Sequence, residues 1–240
     1  MRKAILSILL LCTAISLQAQ TVGRDACWLN AATGAWEWGF FKDFAVHDAR
    51  QWQYAAVKEG RKKTAVTLRS GKETLQLEIR YQNDSVCTIA VDDGKAQTYR
   101  LWNSAKSILS YLPADTAASR PCQFHENSVM LRGYLPDFPN QNLEYIYYER
   151  FQDTQKIANV PTDSIGRFEL SIPVLGRTEV LFRIQSHMFS LLLSPQSECF
   201  LWIKGNSFLM MGENGRINHE LSDIQESFFV QPKTLRYPNV

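Results

Sequence analysis

Between Ala26 and Tyr111, apolar and polar positions alternate in short runs separated by turn residues, the pattern of an antiparallel β unit. In Trp36-Glu37-Trp38-Gly39-Phe40, a period of two predicts Trp36, Trp38 and Phe40 on one face of a strand. The runs Ala65 to Arg69 and Glu73 to Arg80 flank Ser70-Gly71-Lys72, a glycine turn between hairpin strands. Ser85 to Val91 leads through Asp92-Asp93-Gly94-Lys95 into Ala96 to Trp102, and Asp-Gly between alternating runs is a strong hairpin signal. The first half therefore reads as a β-meander domain over 21–112.

Pro113 to Pro121 is small, polar and bounded by proline, so 113–124 reads as a linker. Seven strands are predicted after it: Val129 to Leu135, Leu143 to Phe151, Lys156 to Val160, Phe168 to Val174, Glu179 to Gln185, Phe189 to Leu193 and Cys199 to Ile203. That spacing suits a sandwich over 125–205. Phe168, Leu170, Ile172 and Val174 fall on one face, and Pro173, which has no N–H for a ladder, favours an edge strand or strand end. Before that strand, Asp163 heads a turn that its side chain can close on the backbone two residues on, and Gly166 supplies the φ that other residues resist. Within a C-terminal extension over 206–240, Ile217, Leu221, Ile224 and Phe228 follow helical spacing, with Asn218 as N-cap, Glu220 in the first turn and Pro232 as the stop. The whole is expected to be mainly β: a meander, a seven-stranded sandwich, and a short terminal helix.

Several of these stretches resemble a known family. Leu131-Arg132-Gly133-Tyr134-Leu135, the run Asp163-x-x-Gly166-Arg167-Phe168-x-Leu170-x-Ile172-Pro173, and Leu193-Ser194-Pro195 before Cys199 to Ile203 resemble a transthyretin-like β-sandwich. Gly212 to Leu221, with Ile217-Asn218-x-Glu220-Leu221, extends the likeness over roughly residues 125 to 225. Such a domain commonly precedes the thioredoxin domain of exported TlpA-like thiol-disulfide reductases of Gram-negative bacteria. The resemblance implies a non-catalytic N-terminal region of that kind; the Cys-x-x-Cys that would carry reductase chemistry does not occur here. Gly34-Ala35-Trp36 is similar to the Gly-x-Trp of lipocalins, but a lipocalin barrel needs eight longer strands than this length is expected to supply.

Composition narrows the classes. The 240 residues are 45% apolar and 21% charged, which is globular, and a net charge of +2 gives no long-range field toward nucleic acid or an anionic membrane. Residues 1–20 have a basic start (Arg2, Lys3), an apolar run from Ala4 to about Ile15 and a short polar end, which reads as a secretory signal cleaved near Ala19. Its apolar run falls short of the ~20 residues of a membrane span, and no later segment approaches one, so no transmembrane segment is expected. Lipid attachment at Cys12 lacks the small residues expected before the cysteine. The expected address is the periplasm or cell envelope of a Gram-negative bacterium. Export brings Cys27, Cys87, Cys122 and Cys199 into a compartment where disulfides persist. A Cys27–Cys122 bond would close a loop of about 95 residues, worth roughly 4 to 5 kcal/mol. Free buried thiols are the equal alternative, and Cys87 alternates with Ile89 and Val91 as a small core hydrophobe would.

Candidate chemistry is sparse. Five of the six tryptophans lie between Trp28 and Trp102, so Trp36, Trp38 and Trp52 are candidate binding residues for a sugar or other ligand, with the core of this small domain as the competing reading. Arg61-Lys62-Lys63 reads as a solvated turn. His47, His125, His187 and His219 are scattered, match no zinc pattern and read as surface residues. No nucleophile elbow, phosphate loop or dinucleotide fingerprint occurs, and no metal or cofactor is implied. Two functions follow: a non-catalytic module that binds a protein or glycan partner in the cell envelope, or a redox accessory in which Cys27, Cys87, Cys122 or Cys199 exchanges disulfides with a separate thioredoxin-fold protein.

Overall fold

The computed structural model describes residues 25–114, 127–149 and 154–229, and is mainly β with one α-helix near the C-terminus. Strands β1 (Ala26–Asn30), β2 (Trp36–Phe40), β3 (Phe44–His47), β4 (Arg50–Glu59), β5 (Thr64–Ser70), β6 (Glu73–Asn83), β7 (Val86–Val91) and β8 (Gln97–Leu101) form an antiparallel meander. The meander closes: Trp28, Leu29 and Asn30 pair with Leu101, Arg100 and Tyr99, making an eight-stranded barrel. The expected open meander is thus corrected to a closed barrel, built from eight strands of which several are short. Strands as short as four residues suffice because two-residue turns, Asp48-Ala49 and Gly71-Lys72, leave little chain in loops. Closure then pairs what would otherwise be open edges.

The barrel interior takes Trp28, Trp38, Phe40, Trp52, Leu68 and Ile79, all less than 5% exposed. An eight-stranded barrel is about wide enough for side chains to fill. Trp36 is not among them. Opposite the adjacent residues Trp28 and Leu29 lie Trp38 and Trp36, so Glu37 is the extra residue of a bulge. The bulge reverses the alternation, which corrects the expected single face: Trp38 and Phe40 point into the barrel and Trp36 points out.

Beyond the barrel lie β9 (Asn127–Tyr134), β10 (Asn142–Glu149), β11 (Thr154–Pro161), β12 (Arg167–Val174), β13 (Thr178–Ile184), β14 (His187–Leu193), β15 (Glu198–Lys204) and β16 (Ser207–Gly212). They make two four-stranded sheets, ordered β11-β10-β13-β14 and β12-β9-β15-β16, so the sandwich has eight strands where seven were expected. The added strand, β16, follows the two-residue turn Gly205-Asn206. Between the sheets lie Val129, Leu131, Leu143, Ile172, Phe182 and Leu201. β12 keeps the expected alternation, with Phe168, Leu170, Ile172 and Val174 buried, and Pro173 sits on an edge strand. Asp163 caps the preceding turn by accepting the N–H groups of Ile165 (3.0 Å) and Arg167 (2.8 Å). Gly166 has φ +95°, and a Cβ there would lie 2.1 Å from the carbonyl oxygen of Leu135.

A third core joins the two units. From the barrel wall come Cys27, Leu29, Trp36, Phe41, Phe44 and Val46; from the outer face of sheet β12-β9-β15-β16 come Tyr134, Phe200, Trp202, Leu209 and Met211. β15 and β16 are therefore buried on both faces, which is why Cys199 to Ile203 and Phe208 to Met211 read as unbroken apolar runs. Trp36 meets Phe200 edge-on at 6.0 Å, and Trp102 meets Trp202 at 5.8 Å. The guanidinium of Arg167 lies 5.4 Å from the ring centre of Phe44, so the Asp163 turn also touches the barrel.

Helix α1 (Gly215–Phe229) lies against β16 and β14. Asn218, expected as its N-cap, lies within the helix instead and is 2% exposed. Asn218 and His219 are buried against the sandwich, whereas Ile217 and Leu221 are only half-buried. The physical reason is that α1 docks on two sheet edges, where backbone groups need hydrogen-bond partners more than apolar cover. Among the described residues no helix is long and apolar enough to cross a membrane.

Candidate functional site

The predicted tryptophan platform is not a surface. Trp38 and Trp52 lie inside the barrel and Trp36 lies in the shared core, each at most 4% exposed. Their polar handles point inward too: the indole of Trp36 donates to the carbonyl of Trp38 at 2.9 Å, and that of Trp52 to the carbonyl of His47 at 3.3 Å. A sugar cannot stack on rings that the barrel and sandwich already cover.

The cysteines are similarly dispersed, one free thiol in each core: Cys87 inside the barrel, Cys199 between the sheets and Cys27 at the junction. Burial pushes the Cys87 thiol up to about 12 and raises Cys27 and Cys199 as well, with Asp25 adding to the effect at Cys27. Thiol exchange needs an accessible thiolate, and none of the three offers one. Cys122 lies outside the described residues, as do His125 and the predicted signal at 1–20.

Of the other histidines, His47 stacks on Trp38 at 3.7 Å, and His187 is exposed beside Phe138. His219, expected on the surface, is 3% exposed because α1 presses it onto β16. Among the described residues no group of three His, Cys, Asp or Glu side chains is placed to hold a metal ion. Arg61, Lys62 and Lys63 sit exposed at the β4–β5 turn, with Lys63 paired to Glu78.

What the structure assembles instead is an open groove of about 710 Å³ on the sandwich. One wall is β14 with its neighbour β13, contributing Met188, Phe189 and Leu181. The other is the β15–β16 hairpin, contributing Ile203, Gly205 to Ser207 and Phe208, and Ser222 of α1 lines it as well. The lining is mostly apolar, and Met188 is 61% exposed. Glu179 stands exposed at the lip. The groove forms because β14 and β16 are the terminal strands of the two sheets on the same side of the sandwich, the side that α1 covers. No protein-family model, curated protein or solved structure matches this chain.

α1 meets both edges through consecutive residues. The Asn218 amide accepts the N–H of Leu192 on β14 at 2.7 Å and donates to the carbonyl of the same residue at 2.9 Å. The Nε2 of His219 lies 3.3 Å from the N–H and 3.2 Å from the C=O of Met210 on β16. Asn214 completes the attachment, accepting from the Ser194 hydroxyl at 2.8 Å and donating to that of Ser197 at 3.0 Å. Sequence reasoning missed this site because its parts lie apart in sequence. A signal for one wall was present: Gly205-Asn206 between two apolar runs is a two-residue hairpin signature.

Proposed function

We propose that this protein is an exported, non-catalytic binding module of the cell envelope, related to the N-terminal part of TlpA-like proteins, that takes an apolar segment of a partner protein into the groove between β14, the β15–β16 hairpin and α1. The observation that carries the reading is the groove, an open concavity with a largely apolar lining and an exposed Met188 at its wall. Methionine suits such a surface because its unbranched thioether adapts to different partners. A protein partner is favoured over a glycan because Trp36, Trp38 and Trp52, the rings expected to stack on a sugar, are buried. The export signal and the resemblance around Asp163 and Asn218 support the address and the kinship.

Selection of a random peptide library on the purified mature protein tests the reading. Peptides rich in apolar residues are expected, and their affinity should fall about tenfold or more for Met188→Asp or Ser222→Trp, which place a charge or a bulky ring in the groove. Peptides that bind both variants as well as they bind the unaltered protein would refute it.

A further inference from the structure

We propose that a polar hollow beside the groove is a second subsite of the same binding site, and that it takes an uncharged amide side chain, asparagine or glutamine, of the bound protein segment. The inference rests on the groove being the binding site and adds what the partner must carry. The hollow, of about 180 Å³, lies between residues 102–108, which leave the barrel after β8, the β15–β16 hairpin and α1. Asn206, Ser207, Phe208 and Ser222 line both the hollow and the groove, so one occupant reaches into both. Its size is below the roughly 300 Å³ at which pockets for drug-sized ligands begin, which leaves room for one side chain.

Charge decides which side chain. Lys106 and Asp223 both line the hollow, yet neither forms an ion pair with the other or with any other described residue. Asp223 accepts the Ser107 hydroxyl at 2.5 Å through one oxygen, which leaves its other oxygen without a partner among the described residues. The hydroxyls of Ser104, Ser207 and Ser222 and the amide of Asn206 are likewise unengaged among the described residues. Burial keeps the remaining titratable group, His219, neutral, so one positive and one negative charge face the same small space. A carboxylate there would gain Lys106 and meet Asp223; an ammonium would gain Asp223 and meet Lys106. A carboxamide satisfies both, its carbonyl accepting from Lys106 and its NH₂ donating to Asp223. The occupant is therefore an apolar segment with an asparagine or glutamine placed to leave the groove at Ser207 and Ser222.

Fluorescence anisotropy with labelled octapeptides of alternating valine and threonine, a single glutamine being walked through the positions, tests this. One register should bind about tenfold more tightly than the rest, because a hydrogen bond to a charged group is worth about that factor. At that register, twins with glutamate, lysine or leucine in place of glutamine should each bind about tenfold more weakly. Two variants should then exchange the preferences. On Asp223→Asn, which keeps an acceptor for Ser107, the glutamate twin should recover to the level of the glutamine peptide, and on Lys106→Met the lysine twin should do so. Equal binding of all twins, or preferences unchanged in both variants, would overturn the amide subsite; the groove reading would stand if Met188→Asp still weakened the peptides. Absence of binding by every walked peptide up to about 1 mM, with library-selected peptides still bound, would overturn the subsite too. Failure of every peptide would remove the groove reading itself, and the subsite with it.

Discussion

Acidification is expected to loosen α1 through His219. Burial between α1 and β16 lowers the pKa of this imidazole to about 4, from an ordinary value of 6.5, more than the Met210 carbonyl and the Asp223 carboxylate raise it. Asp223 and Lys106 are the charged groups lining the adjoining hollow. The folded protein therefore holds His219 neutral, and protonation favours the undocked or unfolded chain. The stability this contributes is complete above pH 6.5, declines as the pH falls toward 4, and is gone below it. At 1.36 kcal/mol for each pH unit between the two pKa values, the whole effect is about 3 kcal/mol, of which about 2.5 is lost by pH 4.5. Urea unfolding at intervals from pH 7.5 to 4.5 would measure it against His219→Gln, which keeps a donor toward Met210 and does not titrate. The carboxylates titrate in both proteins, so the difference between the curves isolates the histidine. The unaltered protein should lose stability relative to the variant mainly between pH 6.5 and 4.5. Parallel curves would show that His219 is not held neutral by its burial, and the account of α1 docking would fail with it.

Other outcomes follow from single contacts. Gly166→Ala should cost more than about 2 kcal/mol in chemical denaturation, because φ is +95° and the new methyl would meet the Leu135 carbonyl. Phe200→Ala should cost about 3 to 5 kcal/mol, with loss of near-ultraviolet circular dichroism, since its ring is fully buried where the barrel meets the sandwich. Cys27, Cys87 and Cys199 should resist a thiol reagent in native buffer and react only on unfolding, as their burial in separate cores requires; fast native labelling of any one would reopen the redox reading. Acrylamide should quench Trp36, Trp38 and Trp52 weakly for the same reason.

Much of the local structure was legible. The turns at Gly71, Asp92-Asp93-Gly94 and Asp163 to Gly166 depend on residues with unusual backbone tolerance, and such residues announce themselves in any context. The alternation of Phe168 to Val174 was legible because one side of β12 faces the core and the other faces solvent. Where both sides are covered the code degrades: Phe208 to Met211 could equally have been a helix segment, and β16 was missed. The bulge at Glu37 left no local mark, yet it decided that Trp36 and Trp38 serve different cores. The helix was found by its apolar spacing, but its docking residues were not, because Asn218 and His219 act on backbone groups about 26 and 9 positions away.

By itself, then, the order of residues determined the β-rich class, most strand positions and the turns, because these depend on neighbours in the chain and on a repeat of two. Barrel closure, the assignment of the tryptophans and cysteines to three interiors, and the groove were decided only by tertiary structure. Each depends on pairing distant segments: β1 with β8, the barrel wall with Phe200 and Trp202, and α1 with the edges of two different sheets. A hydrophobic side chain carries no label for the core it will enter. Contact between distant surfaces supplies that, and here it also shapes the groove on which the proposed binding depends.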